Sequence, residues 1–301
     1  MTTVVALGGN ALIRKGDRGT AAEQSARLRE AAGSLAPLLG EPRLVITHGN
    51  GPQVGNELIR QERAADEVPP LPLYLAVAQT QAEIGAMIVT ELGRSAGRPV
   101  ACLLTHVVVA VDDPALDRPT KPIGPFYSSE EAAELERDRG WTLVEEQGRG
   151  FRRAVPSPTP LEVVELDQIR ALLDAGAIPV ACGGGGIPVV RDGDRIRGVD
   201  AVIDKDRASA VLAQALQAAR LVILTDVPAV KRGFRTPDEE EIAELTADEA
   251  EALLPDLAEG SMRPKVEAAI TMARAGGEAL ITALESLEAA LGGSAGTRVR
   301  G

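Results

Sequence analysis

At 301 residues, with 45% hydrophobic and 25% charged side chains, the chain has the composition of an ordinary globular protein and room for a sizeable core, as one large α/β domain or as two lobes. A formal net charge of −12 at pH 7 argues against a nucleic-acid interface and against docking on anionic membranes, though a local lysine cluster can still bind anionic small molecules. No apolar run approaches the roughly 18 residues of a membrane span, Met1 leads straight into strand-like VVAL rather than a signal peptide, and two cysteines with two histidines exclude a disulfide framework or a histidine-rich metal cage, so a cytoplasmic protein is expected.

Residues 4–7 read as a short buried strand ending in Gly8, Gly9 and Asn10, where backbone N–H groups can approach an anion closely. Residues 20–39 are helical, with Leu28, Ala31, Leu35 and Leu38 on one face and Gly40 as the stop. The next strand, 44–47, also ends in a glycine-rich turn, His48-Gly49-Asn50-Gly51-Pro52. Helices are expected at 53–65 and 73–95, then one long β-branched strand over 100–111.

Residues 112–153 are rich in Pro, Gly and charge, yet hold Phe126, Tyr127, Trp141 and Phe151, four of the six aromatic residues in the chain. That concentration in an otherwise irregular stretch suggests a small lid with its own cluster. Lys121 stands at its start between Pro119 and Pro122, as a ligand-facing cation or as a linker residue. Residues 161–175 read as a helix closed by Gly176, and 178–182 as a strand ending in Gly183 to Gly186, the third glycine-rich strand end. Cys182, just before those glycines, packs as a small hydrophobe or serves as a nucleophile. Asp192-Gly193 marks a hairpin.

The hairpin leads into GVDAVIDKDRASAVL, residues 198–212, where Asp204-Lys205-Asp206 sits at a helix start. Aspartates suit that place, capping free N–H groups and favouring the positive end of the dipole. An ammonium there is unfavourable by roughly 0.3–1 kcal/mol unless an anion binds in front of it. Lys205 is therefore either an ordinary solvated lysine or one that faces a phosphate. Only five of the 32 basic residues are lysines, so a lysine marks a place that wants a compact ammonium. Further on, 221–225 is a strand ending in Thr225-Asp226-Val227, Thr246 to Glu249 is a capping box, and Lys265 repeats the anomaly of a lysine at a helix start, behind Pro264. Residues 280–282 form the last core strand; the tail from Gly292 forms an edge strand or frays.

Three glycine-rich strand ends with three candidate lysines describe a phosphoryl-transfer site, since that chemistry is mostly positioning and charge neutralisation. Walker-type machinery is excluded because no Gly-Lys dipeptide occurs, and no G-x-G-x-x-G follows the first strand. In order, VVALGGNAL, THGNGPQVG, RPTKPIGPFY, VACGGGGIPVV, GVDAVIDKDRAS, LTDV and GSMRPKVEAA resemble carbamate kinase of the amino acid kinase superfamily nearly end to end.

That resemblance implies a three-layer αβα sandwich around an open, mostly parallel sheet with a small protruding subdomain, and a homodimer. It implies an N-lobe of about 1–197 for carbamate, with the lid at about 112–155, and a C-lobe of about 198–301 for nucleotide. The implied reaction is ATP plus carbamate giving ADP and carbamoyl phosphate, with Mg²⁺ and no dedicated metal ligands. Lys205, Lys265 and Lys121 would stabilise the moving phosphoryl, and Asp204 and Asp206 would hold the lysines. Gly8, Gly9, Asn10, Gly49, Asn50, Gly51, Gly183, Gly184 and Gly185 would contact carbamate and phosphates. Thr225, Asp226, Val227, Met262 and Lys265 would lie at the nucleotide. Related kinases commonly carry Lys where this chain has Ala6, the charge coming here from the lid. Two departures stand out: Arg263 where the family usually has Gly, adding a phosphate contact or blocking the loop, and Lys231 where it usually has Tyr. They leave two alternatives, a superfamily kinase with another small acceptor and a catalytically weak nucleotide-binding regulator.

Overall fold

The computed structural model describes residues 1–14, 16–146, 149–234, 236–258 and 260–301; Lys15 and the Asn10 side chain lie outside the described set. Thr2–Leu7 runs through the centre, buried at every position, as expected of a parallel strand covered on both faces. It pairs in parallel with Arg43–His48 on one side and Arg220–Thr225 on the other. The sheet extends to Ile178–Val180 and Val100–Cys102 beyond the first, and to Glu278–Ala283 beyond the second. Successive side chains feed opposite layers. Val4 packs with Leu212 and Ala269, under Lys205–Ala215 and Met262–Arg274, whereas Val5 and Leu7 pack with Leu28 and Ile84, from Ala21–Ser34 and Leu73–Leu92. The result is the αβα sandwich.

Several elements differ from the sequence-based expectation. The run 100–111 is two strands in two sheets: Val100–Cys102 edges the main sheet, while His106–Val109 pairs with Ile187–Asp192 and Pro160–Val163. Thr105 makes the break, its N–H donating to Gln81 Oε1 at 2.6 Å and its hydroxyl accepting from Cys182 N–H at 2.7 Å. The helix expected at 161–175 begins only at Leu166, because Pro160–Val163 is claimed by His106–Val109. The helix expected at 20–39 is interrupted at Leu35, Ala36–Leu39 forming a separate turn around Pro37. The tail forms Thr297–Arg300, which lies between Glu278–Ala283 and Glu244–Thr246 and is therefore an interior strand.

The lid is regular rather than irregular. Lys121–Tyr127, Gly150–Val155 and Thr142–Glu146 form an antiparallel sheet backed by Ser129–Arg139, which starts with a Ser128–Glu131 capping box. Tyr127 and Trp141 meet edge-on with centroids 6.2 Å apart, and Arg153 stacks 4.3 Å above Trp141. The lid joins the body through a small core of Val54, Leu58, Ile123, Val155 and Val202. Gly55 of Gly51–Arg63 touches Gly124 so closely that a Cβ would lie 2.0 Å from Gly124 Cα.

Candidate active site

The strands of the parallel sheet end toward one rim, where open α/β sheets bind ligands. Asp204 caps the helix Lys205–Ala215 there, its Oδ1 accepting from the Asp206 N–H at 2.9 Å and the Arg207 N–H at 3.4 Å. Its Oδ2 accepts from Lys121 Nζ of the lid at 2.7 Å. Asp206, 1% exposed, takes the other two ammoniums, Lys205 on Oδ1 and Lys265 on Oδ2, the latter at 3.0 Å. Three lysines distant in sequence thus converge on two carboxylates.

Burial disfavours both carboxylates in their charged form, but the ammoniums beside them overcome it and hold Asp204 and Asp206 well below the usual carboxylate range. Burial pulls the Lys205 ammonium down, helped by Lys265 and opposed by Asp206. Lys265 moves upward: burial works against its charge, but Asp206 and Asp204 outweigh it and Asp226 adds to them. Among the directly bonded groups three ammoniums face two carboxylates. Such a cluster suits an anion.

The glycine turns meet this cluster. At Gly49 a Cβ would stand 3.2 Å from Lys205 Cδ, so a side chain there would crowd the lysine where it passes the turn. Thr47 and Ser209 hydroxyls, 2.6 Å apart, tie the same turn to the lysine's helix. Gly8 abuts the end of Arg220–Thr225, where a Cβ would lie 2.5 Å from Leu224 O, beside Thr225. Gly9 faces open space. Gly184 and Gly185 have φ of +65° and +89°, and Cβ atoms there would strike the Asn50 amide and Ile203 O at 2.3 and 2.2 Å. The Asn50 amide donates inward to Thr80 Oγ1 at 3.0 Å. Thr225 donates to Asp226 at 3.1 Å, Val227 is half-buried, and Met262 packs against the core below Met262–Arg274.

Sequence reasoning passed over His48, Gln81, Thr105 and Arg152. His48 is buried between two turns: Nδ1–H donates to Gly49 O at 3.0 Å, and a Cβ on Gly183 would fall 2.3 Å from Nε2. Burial, joined by the Lys205 charge and opposed by the bond to Gly49 O, lowers its pKa to about 4, so the ring is neutral. Gln81 Nε2 donates to Gly183 O at 2.9 Å. Thr105, bonded to Gln81 and Cys182, fixes Cys182 in the left-handed region at φ 49°. The Cys182 thiol is buried and pushed up to about 12, so it packs rather than attacks.

Where the lid meets the two helix starts lies a cavity of about 220 Å³, lined by Lys121, Ser157, Asp204, Arg207, Arg263 and Glu267. Arg263 Nε donates to Leu254 O at 3.0 Å. Lys231 pairs with Glu239 at 2.7 Å on the ribbon Val230–Arg232. Among the described residues no three His, Cys, Asp or Glu side chains converge as metal ligands, and the site's own carboxylates are taken by lysines. A magnesium ion here would be held chiefly by phosphate oxygens and water. No helix among the described residues is long and apolar enough to cross a membrane.

The amino acid kinase family profile matches residues 1–283. Carbamate kinase of Halobacterium salinarum is 45% identical, aligning 99% of this chain with 97% of its own, and that of Lentilactobacillus hilgardii is 43% identical, with 98% and 95% aligned. The solved structure of carbamate kinase from Giardia lamblia bound to citric acid superposes with a TM-score of 0.92 at 38% identity, covering 99% of this chain and 98% of that one. The same enzyme bound to AMP-PNP superposes at 0.87 with 39% identity, over the same shares.

Proposed function

The chain belongs to the amino acid kinase family, and from that premise we propose that it is a phosphotransferase moving a phosphoryl group reversibly between ATP and carbamate, giving ADP and carbamoyl phosphate. A carbamate oxygen is already anionic, so it attacks the γ-phosphorus without a general base. The new O–P bond forms as the bond to the β-phosphate oxygen breaks, and the electron pair leaves on ADP. What this chain supplies is position and charge.

The observation that carries the reading is Asp206, a buried carboxylate between Lys205 and Lys265. It aims two ammoniums at one place without collapsing onto them, because each of its oxygens holds one. Lys121 brings a third ammonium with the lid, pinned on Asp204. The transferring phosphoryl sits among these ammoniums, with the bare turns at Gly8–Gly9, Gly49–Gly51 and Gly183–Gly185 receiving carbamate and phosphate oxygens. The Asn10 and Asn50 positions flank that place. The nucleotide lies on the C-terminal side, near Thr225, Asp226, Val227 and Met262, where Asp226 already acts on Lys265. That divides the chain into an N-lobe of about 1–197 for carbamate and a C-lobe of about 198–301 for ATP. When bound with the nucleotide's phosphates, Mg²⁺ would supply further neutralising charge there. A homodimer and a cytoplasmic location complete the family reading.

The test is ATP formation from carbamoyl phosphate and ADP with Mg²⁺ by the purified chain. Turnover supports the reading; a folded sample that makes no ATP overturns it. Size-exclusion chromatography with light scattering tests the dimer.

A further inference from the structure

The turn Gly49 to Gly51 is flanked by two cations, only one of which sequence reasoning identified. Lys205 passes Gly49 from the helix below. From the lid, Arg152 Nη2 lies 3.9 Å from where a Cβ on Gly51 would stand. Arg152 belongs to Gly150–Val155 and is 13% exposed. Its guanidinium is held on two sides, Nε donating to Gly124 O and Nη1 to Glu146 Oε1, both at 3.0 Å, with Phe126 beneath it at 5.3 Å. Nη2 has no hydrogen-bond partner among the described residues. A fork fixed on two edges presents its third edge in a set direction.

What it faces is short of negative charge. Gly51 opens the helix Gly51–Arg63, whose N-cap residue Asn50 makes no side-chain cap. Free N–H groups and the positive end of the dipole therefore lie beside Nη2. Burial lowers the Arg152 pKa, as expected of a guanidinium whose surroundings under-compensate it. A cation, a helix start and Lys205 around one turn repel one another until an anion lies between them.

We propose that Arg152 is a substrate-contacting residue, a second lid cation that binds the anionic oxygens of carbamate or carbamoyl phosphate at the Gly49–Gly51 turn. The proposal rests on the phosphotransferase reading above and adds to it the residue that makes lid closure selective for the acceptor rather than for the nucleotide. Lys121 and Arg152 thereby divide the work: one bonds to Asp204 beside the phosphoryl, the other covers the acceptor.

The test compares Arg152→Ala, Arg152→Gln and Arg152→Lys with wild type, and with Arg149→Ala, which removes the same charge from a 56%-exposed residue of the same lid. Loss of one charge-assisted contact raises KM for carbamoyl phosphate at least about tenfold in Arg152→Ala and Arg152→Gln, leaves KM for ADP within about twofold, and is partly recovered in Arg152→Lys; Arg149→Ala stays near wild type. A KM for carbamoyl phosphate that stays within twofold of wild type overturns the proposal. So does an equal rise in both KM values, which marks Arg152 as a staple of the lid. A wild type without turnover defeats the kinase reading instead. Calorimetric binding of inorganic phosphate then decides for Arg152, supporting it if Arg152→Ala binds at least tenfold more weakly and overturning it if the affinities match.

Discussion

The rim of the sheet presents two kinds of surface side by side. Around Gly8, Gly49 and Gly183 the site is backbone, shaped by side chains that are missing. Around Asp204 and Asp206 it is charge, shaped by side chains drawn in from the lid and from two helices. The first is limited by sterics: a Cβ at Gly184 or Gly185 would overlap Asn50 or Ile203 O. The second is limited by balance, because a buried carboxylate is tolerable only while its ammoniums stay. On the proposed reading, position is set mainly by the glycine half, and the barrier to transfer mainly by the charged half.

Lys205→Ala separates them most sharply. Asp206 keeps Lys265, so the fold survives, while turnover falls about 10²–10³-fold, roughly 3–4 kcal/mol of transition-state stabilisation. Steady-state kinetics beside a thermal melt reads this, and a loss under threefold would make Lys205 ordinary structural charge. His48 tests whether the backbone half is indifferent to charge. Its folded pKa of about 4 lies below the ordinary 6.5, so as pH falls from 6.5 the unfolded chain takes up a proton that the buried ring refuses. Stability is lost over that window and the loss levels off below pH 4, up to about 3 kcal/mol in all. Urea unfolding of wild type and His48→Asn from pH 7 to 4 measures it, and parallel curves would refute it.

A smaller effect comes from Gly185→Ala. With φ at +89° and Ile203 O in the way, the turn must shift, at about 2 kcal/mol by urea unfolding. Unchanged stability would show the turn to be loose. Smallest is Gln217→Gly, an exposed residue at φ 50° after the helix Lys205–Ala215. Relief of that strain adds about 0.5–1 kcal/mol without altering kcat, because the strain lies far along the helix from its charged start. A fall in kcat would mean the two ends of the helix are coupled.

Much of this was readable from local chemistry. Glycines after apolar runs mark strand ends whatever surrounds them, Asp204-Lys205-Asp206 announces a helix start, and the Thr246 capping box is complete within four residues. What was not readable depends on contacts between distant segments. The break at Thr105 requires Gln81 and Cys182 to be in place, so residues 100–111 alone look like one strand. His48 and Arg152 carry no local signal either. Their roles arise from Gly183 and Gly51, 135 and 101 positions away in the chain, and only packing reveals them.

The lid enters at Lys121 and leaves at Val155, and these two are register partners across one antiparallel pair, with Thr120 N–H donating to Val155 O at 3.1 Å. Its ends thus stand a strand's width apart, about 5 Å, which makes the segment a cassette. Cutting it out and closing the gap with a tight turn would add almost no loop-closure entropy. Both helical layers would remain, and Val54 and Leu58 would become the exposed seam. Such a shortened chain would lose Lys121 and Arg152 in one edit, strip Asp204 of its bonded ammonium and leave Lys205 and Lys265 open to water, so an excision that is cheap in loop entropy would be costly at the site, leaving a mere phosphate sink where phosphoryl transfer is proposed.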